Sequence, residues 1–201
     1  TSDFTLEAWV YPVSLTSASA IYRGEIMAYT IPGNTASAAT GFNWSFFMTG
    51  SSATTITGLA FEGYTIGAVY ASSTASIAIS LNTWHHIAMV RSGTTVTFFV
   101  DGIAVSGTSF TAGIAFQSSA TATLQLGGLA TVASGSIYCA NLNGYIQEAR
   151  ISKVARYGAS SVSPNGGALA YNGTSYATTA ANTAFDIGSG DFTVEAWINP
   201  T

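Results

Sequence analysis

The stretch Asn82-Thr83-Trp84-His85-His86-Ile87-Ala88-Met89-Val90-Arg91-Ser92-Gly93-Thr94-Thr95-Val96-Thr97-Phe98-Phe99-Val100-Asp101-Gly102 decides the fold. Trp84 to Arg91 and Thr95 to Val100 read as two strands. Both are rich in β-branched and aromatic residues, and Ser92-Gly93 turns the chain between them. Asp101-Gly102 opens a further turn, where a tight hairpin demands positive φ angles. The same signals recur along the chain. Phe4 to Tyr11 alternates, with Phe4, Leu6, Ala8 and Val10 on one face and Thr5, Glu7, Trp9 and Tyr11 on the other; Pro12 ends it. Gly41 to Thr49, Thr123 to Leu126 and Asn143 to Ser152 are further strands. Ile56 to Phe61 and Tyr64 to Ala71 read as a hairpin around Glu62-Gly63. No amphipathic helix is legible, though Val154 to Tyr157 would make a single helical turn. Short strands and turns at this spacing predict an all-β sandwich or barrel.

Composition narrows the function. Only 7% of the residues are charged against 48% hydrophobic, with 5 Lys+Arg and 9 Asp+Glu for a net charge of −4. Ser, Thr, Ala and Gly fill the difference, a profile that suits secreted and virion proteins. No basic cluster exists, which argues against nucleic acid and against a polybasic membrane contact. No apolar run reaches the roughly 20 residues of a transmembrane helix. The single cysteine, Cys139, forms no intrachain disulfide. No signal peptide is legible, and the strand pattern opening at Phe4 is expected to continue a longer gene product.

The end of the chain repeats its beginning. Ser2-Asp3-Phe4-Thr5-Leu6-Glu7-Ala8-Trp9-Val10-Tyr11-Pro12 aligns with Gly190-Asp191-Phe192-Thr193-Val194-Glu195-Ala196-Trp197-Ile198-Asn199-Pro200, 188 positions later. A second copy is therefore expected to open near Gly167. Residues 1–158 read as one body, 159–167 as a linker, and 168–201 as the opening strands of a second copy or a strand donated to a neighbouring one.

The motifs Asp3 to Pro12, Asn82 to Gly93, Thr97 to Gly102 and Asn143 to Ser152 resemble, in this order, laminin-G-like domains of the concanavalin A-like lectin–glucanase class. Lys153-Val154-Ala155-Arg156-Tyr157 resembles the ending of phage and bacterial surface versions. The resemblance implies an antiparallel two-sheet jelly roll. It also implies an initial strand like Gly167 to Tyr176, which here follows the body, so that the body lacks its usual first strand. Lectins, enzymes, adhesins and spacers all use this fold.

Adjacent His85 and His86 point to opposite faces of a strand and are poorly placed to share a metal. Glu7 and Glu148 lack the Glu-x-Asp-x-x-Glu spacing of related β-glucanases, and Glu7 is expected to pair with Arg150 or Arg91. Asp3, Asp101, Glu25, Glu62 and Asp186 read as isolated acids, so calcium, which some family members bind, has no ligand cluster here. Trp44, Tyr64, Tyr70 and Tyr138 are the candidates for stacking on sugars, against the commoner role of filling a core. Asn43-Trp44-Ser45 and Asn172-Gly173-Thr174 match glycosylation acceptors. No Ser/His/Asp arrangement, nucleotide loop or zinc cluster is legible. The expectation is a non-catalytic structural or adhesive module of an extracellular, cell-surface or virion appendage, without catalytic, cofactor or metal residues. Its expected partners are copies of itself through residues 168–201, with glycan binding as the alternative.

Overall fold

The computed structural model describes residues 3–18, 21–31, 42–67, 69–111, 114–118, 120–128 and 141–158. The linker 159–167, the segment 168–201, and Tyr138, Cys139, Asn172 and Asp186 lie outside the described residues. The elements are all strands: β1 Phe4–Ser14, β2 Thr16–Ala18, β3 Ile21–Thr30, β4 Phe42–Ser52, β5 Thr55–Tyr64, β6 Tyr70–Ile79, β7 His85–Ser92, β8 Thr95–Val100, β9 Ile103–Ser106, β10 Thr123–Leu126 and β11 Asn143–Ser152. They form two antiparallel sheets. One runs β11-β1-β7-β8-β9, and the other runs β10-β3-β4-β5-β6 with β2 beside β3.

The expected strand phase holds. Leu6, Ala8, Val10, Ile87, Met89, Phe98 and Val100 are buried between the sheets against Met27, Phe46, Met48, Leu59 and Phe61. Register explains it: Leu6 pairs with Met89 and Ala8 with Ile87, while Met89 pairs with Phe98. Directly opposed residues share a face. The ring of Phe98 meets that of Phe46 at 6.2 Å across the gap. The turn chemistry also holds, with φ of 51° at Asp101 and 80° at Gly102 between β8 and β9.

Two expectations are corrected. Glu62-Gly63 is not a turn, because β5 runs through it. The reversal comes later, closed by the Thr65 N–H donating to Val69 O at 2.9 Å. Gly63 serves close packing instead: a Cβ there would lie 2.4 Å from Asn43 O of β4. Val154 to Tyr157 is not a helical turn. It crosses the outer face of the five-stranded sheet, pinned by Thr5 Oγ1, which donates to Val154 O at 2.8 Å and accepts from the Arg156 N–H at 3.0 Å. Beneath it Ala88, Val90 and Phe99 form a second small apolar cluster with Ala155 and Tyr157.

Truncating Phe98 to Ala should cost about 3–5 kcal/mol, because it empties the centre of the main core. Urea unfolding monitored by circular dichroism measures this, and a variant as stable as the parent would contradict the packing described.

Candidate functional site

Among the described residues polar chemistry collects in three places. The first is the outer face of the six-stranded sheet. Arg23 and Glu25 are two residues apart on β3 and so share a face, and Glu62 of β5 reaches them across β4. Arg23 Nη2 donates to Glu25 Oε1 and to Glu62 Oε1, each at 2.8 Å. Arg23 Cζ lies 3.4 Å from the centre of the Phe47 ring. Tyr70 Oη donates to Glu62 Oε2 at 2.7 Å. Arg23, Glu25 and Glu62 are buried. One guanidinium cannot balance two buried carboxylates, so one of them holds a proton. Complete burial, and then the neighbouring Glu62 charge, push Glu25 up to about 8 despite Arg23. Burial and Glu62 raise Tyr70 as well. The reading of Glu25 and Glu62 as isolated acids is thereby overturned: the strand order brings together residues 37 positions apart.

The second place is the outer face of the five-stranded sheet. Glu7 Oε1 lies 3.2 Å from Arg156 Nε and 3.4 Å from Arg150 Nη1, and Oε2 lies 3.6 Å from His86 Nε2. Tyr157 Oη donates to Oε2. Burial alone would raise the Glu7 pKa; hydrogen bonds from His86 and Tyr157 and the charges of Arg156 and Arg150 bring it below the ordinary glutamate value. The expected pairing with Arg150 is present. Arg91, the alternative, instead donates to the carbonyls of Gly93 and Ile114 at 3.0 and 2.9 Å. Glu148 lies apart on β11, at φ 52° in the bulge opposite β1.

The third place corrects another expectation. Ser80, His85 and Asp101 are hydrogen-bonded in series, with His85 Nε2 2.8 Å from Ser80 Oγ and His85 Nδ1 2.6 Å from Asp101 Oδ2. His85 and Asp101 line a pocket of about 580 Å³ with Ile56, Ile77, Leu81 and Ile103. The order is that of an acyl-transfer relay. Its details fit a bracket better. Nε2 also lies 3.1 Å from Ser80 O, so two oxygens of one residue share that nitrogen, and Asp101 is half-exposed rather than enclosed behind the imidazole. Asp101 Oδ1 accepts the His86 N–H at 2.9 Å, fixing the β8–β9 turn. Sequence reading missed this trio because Asp101 meets His85 only through the pairing of β7 with β8, although Ser80 stands just five residues before His85.

The expected aromatic candidates are mostly structural. Trp44 stacks on Tyr29 and Phe61 at the core margin, and Tyr64 packs edge-on against Tyr70. Asn43 is buried on β4, which removes it as a glycosylation acceptor. A different set stands outward. Trp84, just before β7, forms a ladder with Tyr11 of β1 and Tyr145 of β11, with ring centroids 5.6 and 5.7 Å apart. Trp84 is 39% exposed and Tyr145 63%. The signal was present, since Tyr11 and Tyr145 occupy outward positions of their strands.

Among the described residues no three His, Cys, Asp or Glu side chains gather in a way that could hold a metal ion. Asp3 Oδ1 is engaged by the Gly93 N–H at 2.8 Å.

These sheets and their connections define an antiparallel jelly-roll sandwich. The chain belongs to the concanavalin A-like lectin/glucanases superfamily, whose family model matches residues 1–160. No curated protein matches the sequence. Similar solved structures include the native heptameric SAP-like pentraxin of Limulus polyphemus, at 15% identity and TM-score 0.49, covering 77% of this chain and 65% of that one. The Ruminococcus gnavus IT-sialidase CBM40, bound to α2,3-sialyllactose, is 13% identical with TM-score 0.49 over 77% of both chains. The PL7 alginate lyase AlyA1 of Zobellia galactanivorans is 18% identical with TM-score 0.47 over 76% of this chain and 62% of its own.

The raised Glu25 sets a pH dependence. The native state keeps a proton that the unfolded chain releases above about pH 4.5, so stability from this position is full below 4.5 and declines as the pH rises to about 8. Glu25→Gln, which has no such proton, should flatten that decline in urea midpoints measured across the interval. Equal slopes for parent and variant would refute the assignment. Glu7 has the opposite sign: its contribution is present above the ordinary glutamate value and is lost as the pH falls through its lowered one.

Proposed function

We propose that this chain is a non-catalytic adhesive module of a repetitive extracellular, cell-surface or virion appendage, and that its ligand is carbohydrate. The Trp84–Tyr11–Tyr145 ladder carries the reading. Three rings in a row on one sheet face offer the apolar planes on which pyranose rings stack, and exposed aromatics of this size seldom stand together without a partner. Non-catalytic action is supported by the state of the acids. Glycoside hydrolysis needs one carboxyl to give a proton and another to attack or activate water. Glu25 and Glu62 are both clasped by Arg23, and Glu7 is held by four side chains. The repeat at 188 residues supports a module used in series.

A glycan array followed by affinity electrophoresis in soluble polysaccharides tests the reading. Trp84→Ala and Tyr145→Ala should each weaken binding about tenfold, the equivalent of about 1.4 kcal/mol for a lost stacking contact. A chelator should change nothing. Absence of binding to any polysaccharide, or retention in the double variant, would sink the proposal.

A further inference from the structure

The five basic residues of the chain fall into two groups. Arg23 and Arg91 are buried and serve the fold. Arg150, Lys153 and Arg156 are exposed, at the end of β11 and just after it. In a chain of net charge −4, every exposed Lys or Arg therefore stands in one place. That place adjoins the aromatic ladder. Directly opposed residues of antiparallel strands share a face. The outward pairs of β1 and β11 are Tyr11 with Tyr145, Trp9 with Gln147, and Glu7 with Arg150. Tyr11 and Glu7 stand four positions apart on β1, or about 13 Å of strand. Trp9 fills the interval, its ring centroid 5.5 Å from that of His86. Buried Glu7 holds the arginines in place, meeting Arg150 at Nη1 and Arg156 at Nε, yet their side chains remain 53% and 36% exposed. Each guanidinium is anchored on its inner side and open to water on its outer one. Fixing such side chains in advance removes part of the ordering cost that a ligand would otherwise meet. Glu7 and Glu148 are the acids of β1 and β11, so three cations face two carboxylates and positive charge is left over. Asp3, just before β1, is turned to the Gly93 N–H.

We propose that the outward face carrying the ladder binds an acidic polysaccharide, whose carboxylate or sulfate groups are met by Arg150, Lys153 and Arg156. The inference rests on the carbohydrate reading of that face and adds the charge of the ligand to it. Sugar rings stack on Trp84, Tyr11 and Tyr145 through their apolar planes. Gln147, exposed opposite Trp9, offers both a donor and an acceptor to the hydroxyls between. A guanidinium suits a carboxylate or a sulfate because its forked N–H groups match two oxygens at once. A neutral sugar chain would leave the surplus charge at the end of β11 without a counterpart. Anionic membranes and nucleic acids are held by larger basic clusters than these three residues make.

The test is affinity electrophoresis of the 201-residue chain in gels containing polygalacturonate or dextran sulfate. Methyl-esterified polygalacturonate and dextran serve as the neutral counterparts. At least one acidic polymer should bind about tenfold more tightly than its counterpart and should weaken as salt is added. The double variant Arg150→Gln with Lys153→Gln should lose about tenfold in affinity for the acidic polymer, and Arg150→Lys should lose less. Glutamine keeps the polar reach of both side chains, and urea midpoints check that the fold is intact. Lys153→Gln with Arg156→Gln replaces the first pair should that one fail to fold. Neutral polymers bound as tightly as acidic ones would overturn the inference and leave the ladder reading standing. Acidic binding that ignores Trp84→Ala and Tyr145→Ala but needs the arginines would uphold the charge assignment and sink the ladder. Retention by neither acidic polymer, or preference for phosphatidylserine vesicles or oligothymidylate in competition, would overturn the inference outright.

Discussion

A carboxylate at Glu7, one residue from the core on a strand buried on both faces, is the constraint around which the five-stranded sheet is arranged. A buried ionised group must be paired and hydrogen-bonded or it costs several kcal/mol. The partners come from three parts of the chain: His86 from β7, Arg150 from β11, Arg156 and Tyr157 from the segment after β11. Satisfying one charge therefore fixes the register of β1 against both neighbours. It also draws residues 153–158 over the outer face, where Tyr157 meets Phe99 with ring centroids 5.5 Å apart. The other face of the same strand supplies Leu6, Ala8 and Val10 to the main core. Moving β1 by one residue would exchange the two sets and leave Glu7 in hydrocarbon.

Arg23 plays the corresponding part in the six-stranded sheet, with a difference of stoichiometry. Glu7 is surrounded by an excess of positive and donating groups, and its carboxyl is held ionised. Glu25 and Glu62 share one guanidinium, and Glu25 is driven toward its protonated form. The two faces thus carry opposite responses to pH from the same residue type. Burial is common to both sites, and the count of neighbouring charges decides between them.

How much of this was legible follows from where the information lies. β1, β7 and β8 were readable because their apolar alternation is local and their turns carry Gly or Asp-Gly. β3 was missed: Arg23 and Glu25 interrupt the apolar pattern, and their partner Glu62 is two strands away. Most of β6 was missed because Ser72, Ser73, Thr74 and Ser76 resemble loop composition, although Ser73 faces inward and is buried. β9 is four residues long and gave too short a pattern. The His85–Asp101 contact and the Arg23 cluster depend on pairing register, which one sequence does not state. The aromatic ladder was half legible. Tyr11 was assigned to the outward face, but its companions, Trp84 just before β7 and Tyr145 on β11, meet it through pairings that appear only in the folded sheet.

The scarcity of charge ties the interior to the surface. Glu7, Arg23, Glu25, Glu62 and Arg91 are all buried, from a chain with only nine acidic and five basic residues. Little charge is left to keep copies apart, so solubility rests on Ser, Thr and Asn, and mutual repulsion is weak. A soluble monomer with an exposed strand edge usually guards it with lysines or an inward-facing charge. Leu124, Leu126 and Ile151, inward positions exposed on β10 and β11, are all apolar. Such an edge is a liability for an isolated domain.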